Sequence, residues 1–112
     1  MNNNSLQNIE NISHELISSE DFETIKVYID ESHMIRKLIK HNPSGELYFY
    51  EFNEKTDWVN GNDPQYRTYI PVETEQQADE INKLSILEIH EITPRLIDDY
   101  GEDNTRVTKW MK

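Results

Sequence analysis

The chain has 112 residues, and its 22 Asp and Glu against 11 Lys and Arg give a formal net charge of -11. This excess disfavours direct binding to nucleic acid, because such binding depends on Lys and Arg that neutralise phosphates. The lack of cysteine excludes disulfides and thiolate metal sites. No apolar stretch approaches the roughly 20 residues that are needed to span a membrane, which predicts no membrane partner and a cytoplasmic location.

The first elements predicted along the chain are a helix and a strand. Apolar residues recur at spacings of three and four over residues 5–19, which predicts an amphipathic helix. Residues 22–29 then alternate between apolar and polar side chains, which predicts a half-buried strand.

The next segment fits two structures. Residues 33–41 suit a helix or a strand, because their apolar positions match both periods. The turn signal Asn42–Gly45, followed at once by an aromatic run, favours a β-hairpin that joins 34–41 to 46–53.

The following residues predict a loop, a strand and a helix. Residues 53–65 are rich in turn formers and predict a long exposed loop. Residues 66–72 alternate and predict a further strand. Thr74 and Gln77 have the spacing of a capping box and predict a short helix that ends at Lys83.

The last quarter of the chain is less regular. Residues 86–92 are rich in β-branched side chains and predict a strand, with a continued helix as the alternative; Pro94 ends either element. Residues 98–104 form a polar, acidic tail, and residues 107–112 either add a short strand or dock Trp110 onto the body.

Together these elements predict an α+β fold. An antiparallel sheet of about four to five strands would carry the N-terminal helix and a second short helix packed on it. A chain of this length predicts a single domain over residues 1–112, with residues 1–5 and also 101–112 flexible.

No pattern points to catalysis or to a cofactor. The four histidines lack the spacing of metal ligands, the serines fall at helix ends and turns, and three glycines cannot assemble a phosphate-binding loop. We therefore predict that the protein is not an enzyme and that it needs neither a cofactor nor a metal.

The charge instead predicts a protein partner with a basic surface. A surface dense in carboxylates can occupy a groove built for a phosphate backbone, and exposed aromatic side chains would anchor the contact. The predicted contact residues are Glu51, Glu54, Asp57, Trp58, Asp63, Tyr66, Asp98, Asp99 and Tyr100.

The sequence thus predicts a small acidic inhibitor that mimics nucleic acid in the groove of a nuclease, a CRISPR or restriction effector, or a DNA-repair enzyme. One alternative is an immunity or antitoxin-like protein that caps a cognate toxin. Another is a self-associating assembly protein, such as a homodimer, and a third is a small enzyme or ligand-binding domain whose pocket the sequence hides. In bulk character, though in no motif, the chain resembles the small acidic antagonists of phages and mobile elements and bacterial immunity proteins.

Overall fold

The structure, a computed structural model, describes residues 19–55, 63–101 and 105–112. Over these residues the chain forms a six-stranded antiparallel sheet in which consecutive strands are neighbours. The strands are β1 (Phe22–Glu31), β2 (Met34–His41), β3 (Glu46–Glu54), β4 (Gln65–Val72), β5 (Arg95–Tyr100) and β6 (Arg106–Met111). Between β4 and β5 lie two short helices, α1 (Glu75–Asn82) and α2 (Ile86–Ile89), and a single 3-10 turn, Ser19–Asp21, precedes β1.

The predicted fold class is wrong, because the described residues form six strands and only two short helices, so the fold is mostly β. The helix predicted over residues 5–19 lies outside the described residues except for Ser19, which belongs to the 3-10 turn. Most of the loop predicted over residues 53–65 also lies outside them, and its first two residues belong to β3.

Two further predictions near the C-terminus are wrong. Residues 86–92 begin with α2 and not with a strand, because Ser85 and Glu88 form a reciprocal capping box that starts a helical turn. The predicted acidic tail begins inside β5, whose residue Asp98 is paired with the Arg106 side chain of β6. That partner offsets part of the cost of a buried carboxylate within a strand.

The remaining elements match their predictions. The β2–β3 hairpin forms as expected, and Gly45 in its turn has a φ of 77°, a conformation that favours glycine. Strands β1 and β4 contain the strands predicted over residues 22–29 and 66–72. The segment 107–112, predicted to form a strand or to dock Trp110, belongs to β6 except for Lys112, and Trp110 packs against the core. Helix α1 begins after Thr74, whose side chain accepts a hydrogen bond from the backbone N–H of Gln77.

Side-chain alternation gives the sheet two faces. On the helical face, helices α1 and α2 cover a buried core of Leu38, Phe49, Ile70 and Val72 with Ala78 and Ile89 of the helices. On the opposite, concave face the buried core is Ile39, Tyr48, Tyr69 and Leu96, with Phe22, Tyr50 and Trp110 packed against it.

The concave face is curved because the sheet curls. The rings of Phe22 in β1 and Tyr69 in β4 stack with centroids 5.8 Å apart, although these strands are three positions apart in the sheet. In a flat sheet that separation would be about 14 Å. Two irregularities interrupt the β1–β2 register, and bulges of this kind bend the strand that contains them. The curl of the sheet forms a groove on the concave face.

Candidate functional site

The structure distributes the predicted contact residues over different parts of the sheet. Glu51, Tyr66 and Asp99 belong to the helical face, Asp98 and Tyr100 to the concave face, and Glu54 and Asp63 to the end of the β3–β4 pair, whereas Asp57 and Trp58 lie outside the described residues. They therefore do not form one continuous surface.

Glu51 is completely buried and is held by three side chains. Its carboxylate accepts hydrogen bonds from Arg36 Nε at 2.9 Å and Asn53 Nδ2 at 2.8 Å, and His90 Nε2 lies 3.1 Å from it. Burial by itself would raise the pKa of Glu51, but the hydrogen bond from His90 and the charge of Arg36 outweigh burial and hold the pKa below its ordinary value. Glu51 is therefore an ionised carboxylate that stabilises the interior of the protein, and a binding partner cannot contact it.

Arg36 connects this buried carboxylate to the helices. Its Nη1 donates to the backbone carbonyls of Asn82 at 2.9 Å and Leu84 at 3.1 Å, which lie at the end of α1 and in the link to α2. A guanidinium at this position satisfies carbonyls that have no partner within the helix. Because His90 follows α2, the cluster of Arg36, Glu51 and His90 fixes α2 against the sheet from both ends.

The fixed helix presents apolar side chains to solvent. Ile89 of α2 is buried in the core, whereas Leu87 is 79% exposed and Ile86 is 40% exposed. Tyr66 of β4, 37% exposed, lies with Ile86 and His90 in the lining of a cleft of about 450 Å³ between α2 and the end of the β3–β4 pair. We call Tyr66, Ile86 and Leu87 the α2 patch.

Carboxylates lie beside the α2 patch. Residues 73–91, which include both helices, contain six carboxylates and one lysine. Three of these carboxylates are paired, Glu75 and Asp79 with Lys26 of β1 and Glu80 with Lys83. The side chains of Glu88 and Glu91 next to Leu87 are exposed, and Glu54 belongs to the lining of the cleft. An exposed apolar patch with a charged rim is typical of a protein-binding surface.

The opposite, concave face has a different chemistry. Its groove has a volume of about 550 Å³ and brings Lys37, Arg67 and Arg106 together with several aromatic rings. Asp98 lies in the same groove, where it accepts hydrogen bonds from Arg106 Nε at 2.8 Å and Thr108 Oγ1 at 2.9 Å. The predicted contact residues Asp98 and Tyr100 therefore line a groove that gathers positive charge.

The described residues contain no group of three or more His, Cys, Asp or Glu side chains placed to hold a metal ion. Neither α1 nor α2, the helices within the described ranges, is long and apolar enough to cross a membrane.

No protein-family model, no curated protein and no solved structure matches this chain. Function is therefore inferred from the residues themselves.

Sequence reasoning missed the exposed side chains Ile86 and Leu87, because it assigned them to a strand. The available signal was the spacing of Ser85 and Glu88, which is that of a capping box and indicates the start of a helix.

Sequence reasoning also missed the pairing of Arg36 with Glu51. That pairing follows from the predicted hairpin, because a four-residue turn after His41 places residue 36 opposite residue 51.

Proposed function

We propose that this protein binds and inhibits a protein partner that has a basic surface, and that the α2 patch is the centre of the contact. The observation that carries the proposal is the 79% exposure of Leu87 on a helix that a buried ion pair holds in place. Residues 73–91 bring negative charge to the same side of the molecule.

The two components of this surface would do different work. Full burial of a leucine side chain contributes about 2 kcal/mol, so Leu87 and its apolar neighbours would slow dissociation. The surrounding carboxylates would steer a basic partner and speed association in a salt-dependent way. The partner class that needs such a surface is a nucleic-acid-handling enzyme of the cytoplasm whose basic groove normally holds phosphates.

The predicted contact residues Glu54, Asp63 and Tyr66 remain part of the proposed surface. Tyr66 belongs to the α2 patch, Glu54 lines the cleft beside it, and Asp63 is exposed shortly before β4 begins. Asp98 and Tyr100 do not join this surface, because they line the groove on the concave face. Asp99 lies on the helical face, in the strand next to Tyr66.

The test compares proteins retained from a bacterial lysate by the wild type, by Leu87→Ser and by Val27→Ser. Val27 is a matched control, since it is 53% exposed and lies in the edge strand β1, three strand positions from Tyr66 of β4. We expect the wild type and Val27→Ser to retain a basic nucleic-acid enzyme that duplex DNA releases, and Leu87→Ser to lose it.

Other outcomes identify the alternatives. Retention of one cognate toxin that DNA does not release would favour the immunity or antitoxin function. A mass in solution of two or more chains, lost in Leu87→Ser, would favour self-association through the α2 patch. Equal retention by wild type and Leu87→Ser would contradict the proposed surface.

A further inference from the structure

The groove on the concave face concentrates positive charge in an acidic protein. Lys37, Arg67 and Arg106 line it, and Asp98 is the single carboxylate among its described lining residues. Arg106 and Asp98 neutralise each other through two contacts, at 2.8 and 3.3 Å. Lys37 and Arg67 have no carboxylate within 4.0 Å among the described residues, so their charges face the groove uncompensated.

Arg67 is held in place without an anionic partner. Its guanidinium centre lies 5.0 Å from the ring of Phe52 and 5.7 Å from the ring of Tyr100, and Nη2 donates to Gln65 at 2.9 Å. Its Nη1 atom is shielded from solvent. The guanidinium also acts on the Tyr50 hydroxyl, because burial raises the pKa of Tyr50 and the charge and hydrogen bond of Arg67 oppose that rise. A guanidinium that is held in place without a carboxylate partner suits an anion that the protein does not itself supply.

Aromatic rings form the wall beside these cations. The rings of Tyr50 and Tyr69 lie with centroids 5.1 Å apart, and the Phe22 ring stacks on Tyr69. Lys37 Nζ lies 5.5 Å from the centroid of the Tyr50 ring, so a cation and an aromatic surface are adjacent. A volume of about 550 Å³ falls within the range of small-molecule sites.

We infer that this groove binds a small aromatic anion. Its planar ring would pack against Tyr50, and its carboxylate or phosphate would accept hydrogen bonds from Arg67 and pair with Lys37. This site is independent of the proposed partner surface, because the α2 patch lies on the opposite face of the sheet.

The experiment is a titration of the full chain followed by heteronuclear NMR, with phenyl phosphate and benzoate as probes. Phenol, which lacks the charge, and inorganic phosphate, which lacks the ring, are the comparison compounds. We expect at least one aromatic anion to bind at millimolar concentration, to shift the Arg67 side-chain signal and the Tyr50 and Tyr69 rings, and to bind more tightly than either comparison compound. The two probes also show whether the groove prefers a carboxylate or a phosphate.

Three variants locate the site. Arg67→Gln and Lys37→Gln should each weaken binding, Arg67→Gln by roughly tenfold because it removes a charge-assisted hydrogen bond. Lys109→Gln is the matched control, since Lys109 is exposed and belongs to β6 outside the groove lining, and it should bind like the wild type. The chemical shifts of the core residues confirm that each variant is folded.

Several results would overturn the inference. These are no binding of either aromatic anion, equal binding of inorganic phosphate and phenyl phosphate, or unchanged affinity in both Arg67→Gln and Lys37→Gln. Nuclear Overhauser contacts from the Tyr50 ring to residues 1–18, or to a second copy of the chain, would show that the groove has another occupant and would overturn it as well.

Discussion

Replacing Glu51 with alanine should bring the protein close to unfolding. Glu51 is fully buried and Arg36 is 5% exposed, so the substitution leaves a buried guanidinium without its carboxylate. Breaking one side of a buried ion pair costs about 3–5 kcal/mol. A domain of this size has a free energy of unfolding of about 5–15 kcal/mol, so the loss is a large part of the total.

We expect this cost to come from the buried groups that lose their hydrogen-bond acceptor, and not from the loss of an attractive ion pair. The substitution removes the acceptor from Arg36, Asn53 and His90 at once. The double variant Arg36→Met/Glu51→Leu leaves no unpaired charge in the core, and it should recover part of the stability lost in Glu51→Ala. It also removes the hydrogen bonds from Arg36 to Asn82 and Leu84, so recovery is expected to be incomplete.

The assay is urea unfolding followed by far-ultraviolet circular dichroism. Glu80→Gln is the control, because Glu80 pairs with Lys83 at the surface and exposed pairs contribute less than about 1 kcal/mol. If Glu51→Ala and Glu80→Gln had similar unfolding midpoints, the cluster of Arg36, Glu51 and His90 would not anchor α2 as described.

Two further predictions concern stability. The folded-state pKa of Glu51 lies below its ordinary value of 4.5. The stability that ionised Glu51 contributes is therefore complete above about pH 4.5 and is lost as the pH falls through the folded-state pKa. The urea midpoint should drop more steeply with acid in the wild type than in Glu51→Gln, and equal slopes would contradict the lowered pKa of Glu51. Gly45→Ala should lower the free energy of unfolding by about 1–2 kcal/mol, because an alanine at a φ of 77° strains the backbone. A Cβ at this position meets no atom within 4 Å, so steric contact adds nothing to the cost. An unchanged urea midpoint would show that the turn relaxes.

Local patterns in the sequence predicted the elements that local forces determine. The β2–β3 hairpin follows from its turn residues, and α1 follows from its capping box. Strand β5 escaped prediction because acidic residues are rare within strands. Asp98 is acceptable there only because Arg106 and Thr108 of β6 bind it, and that pairing is a tertiary contact.

The candidate surfaces were harder to predict for the same reason. An acidic residue such as Glu51 looks like a surface group until the fold brings His90, which is 39 residues away, against it. The concave groove depends on the curl of the sheet, which places Phe22 on Tyr69 across three strand positions. Composition indicated an acidic surface, but it could not indicate that one face gathers uncompensated cations.

The most direct test of the proposed function is the association rate with the retained partner enzyme, measured at low and moderate salt with and without duplex DNA. A carboxylate-rimmed surface in a phosphate-binding groove predicts that the rate falls as salt rises and that DNA blocks association, while Leu87→Ser mainly speeds dissociation. A rate that responds to neither salt nor DNA would contradict the proposal that this surface occupies a nucleic-acid groove.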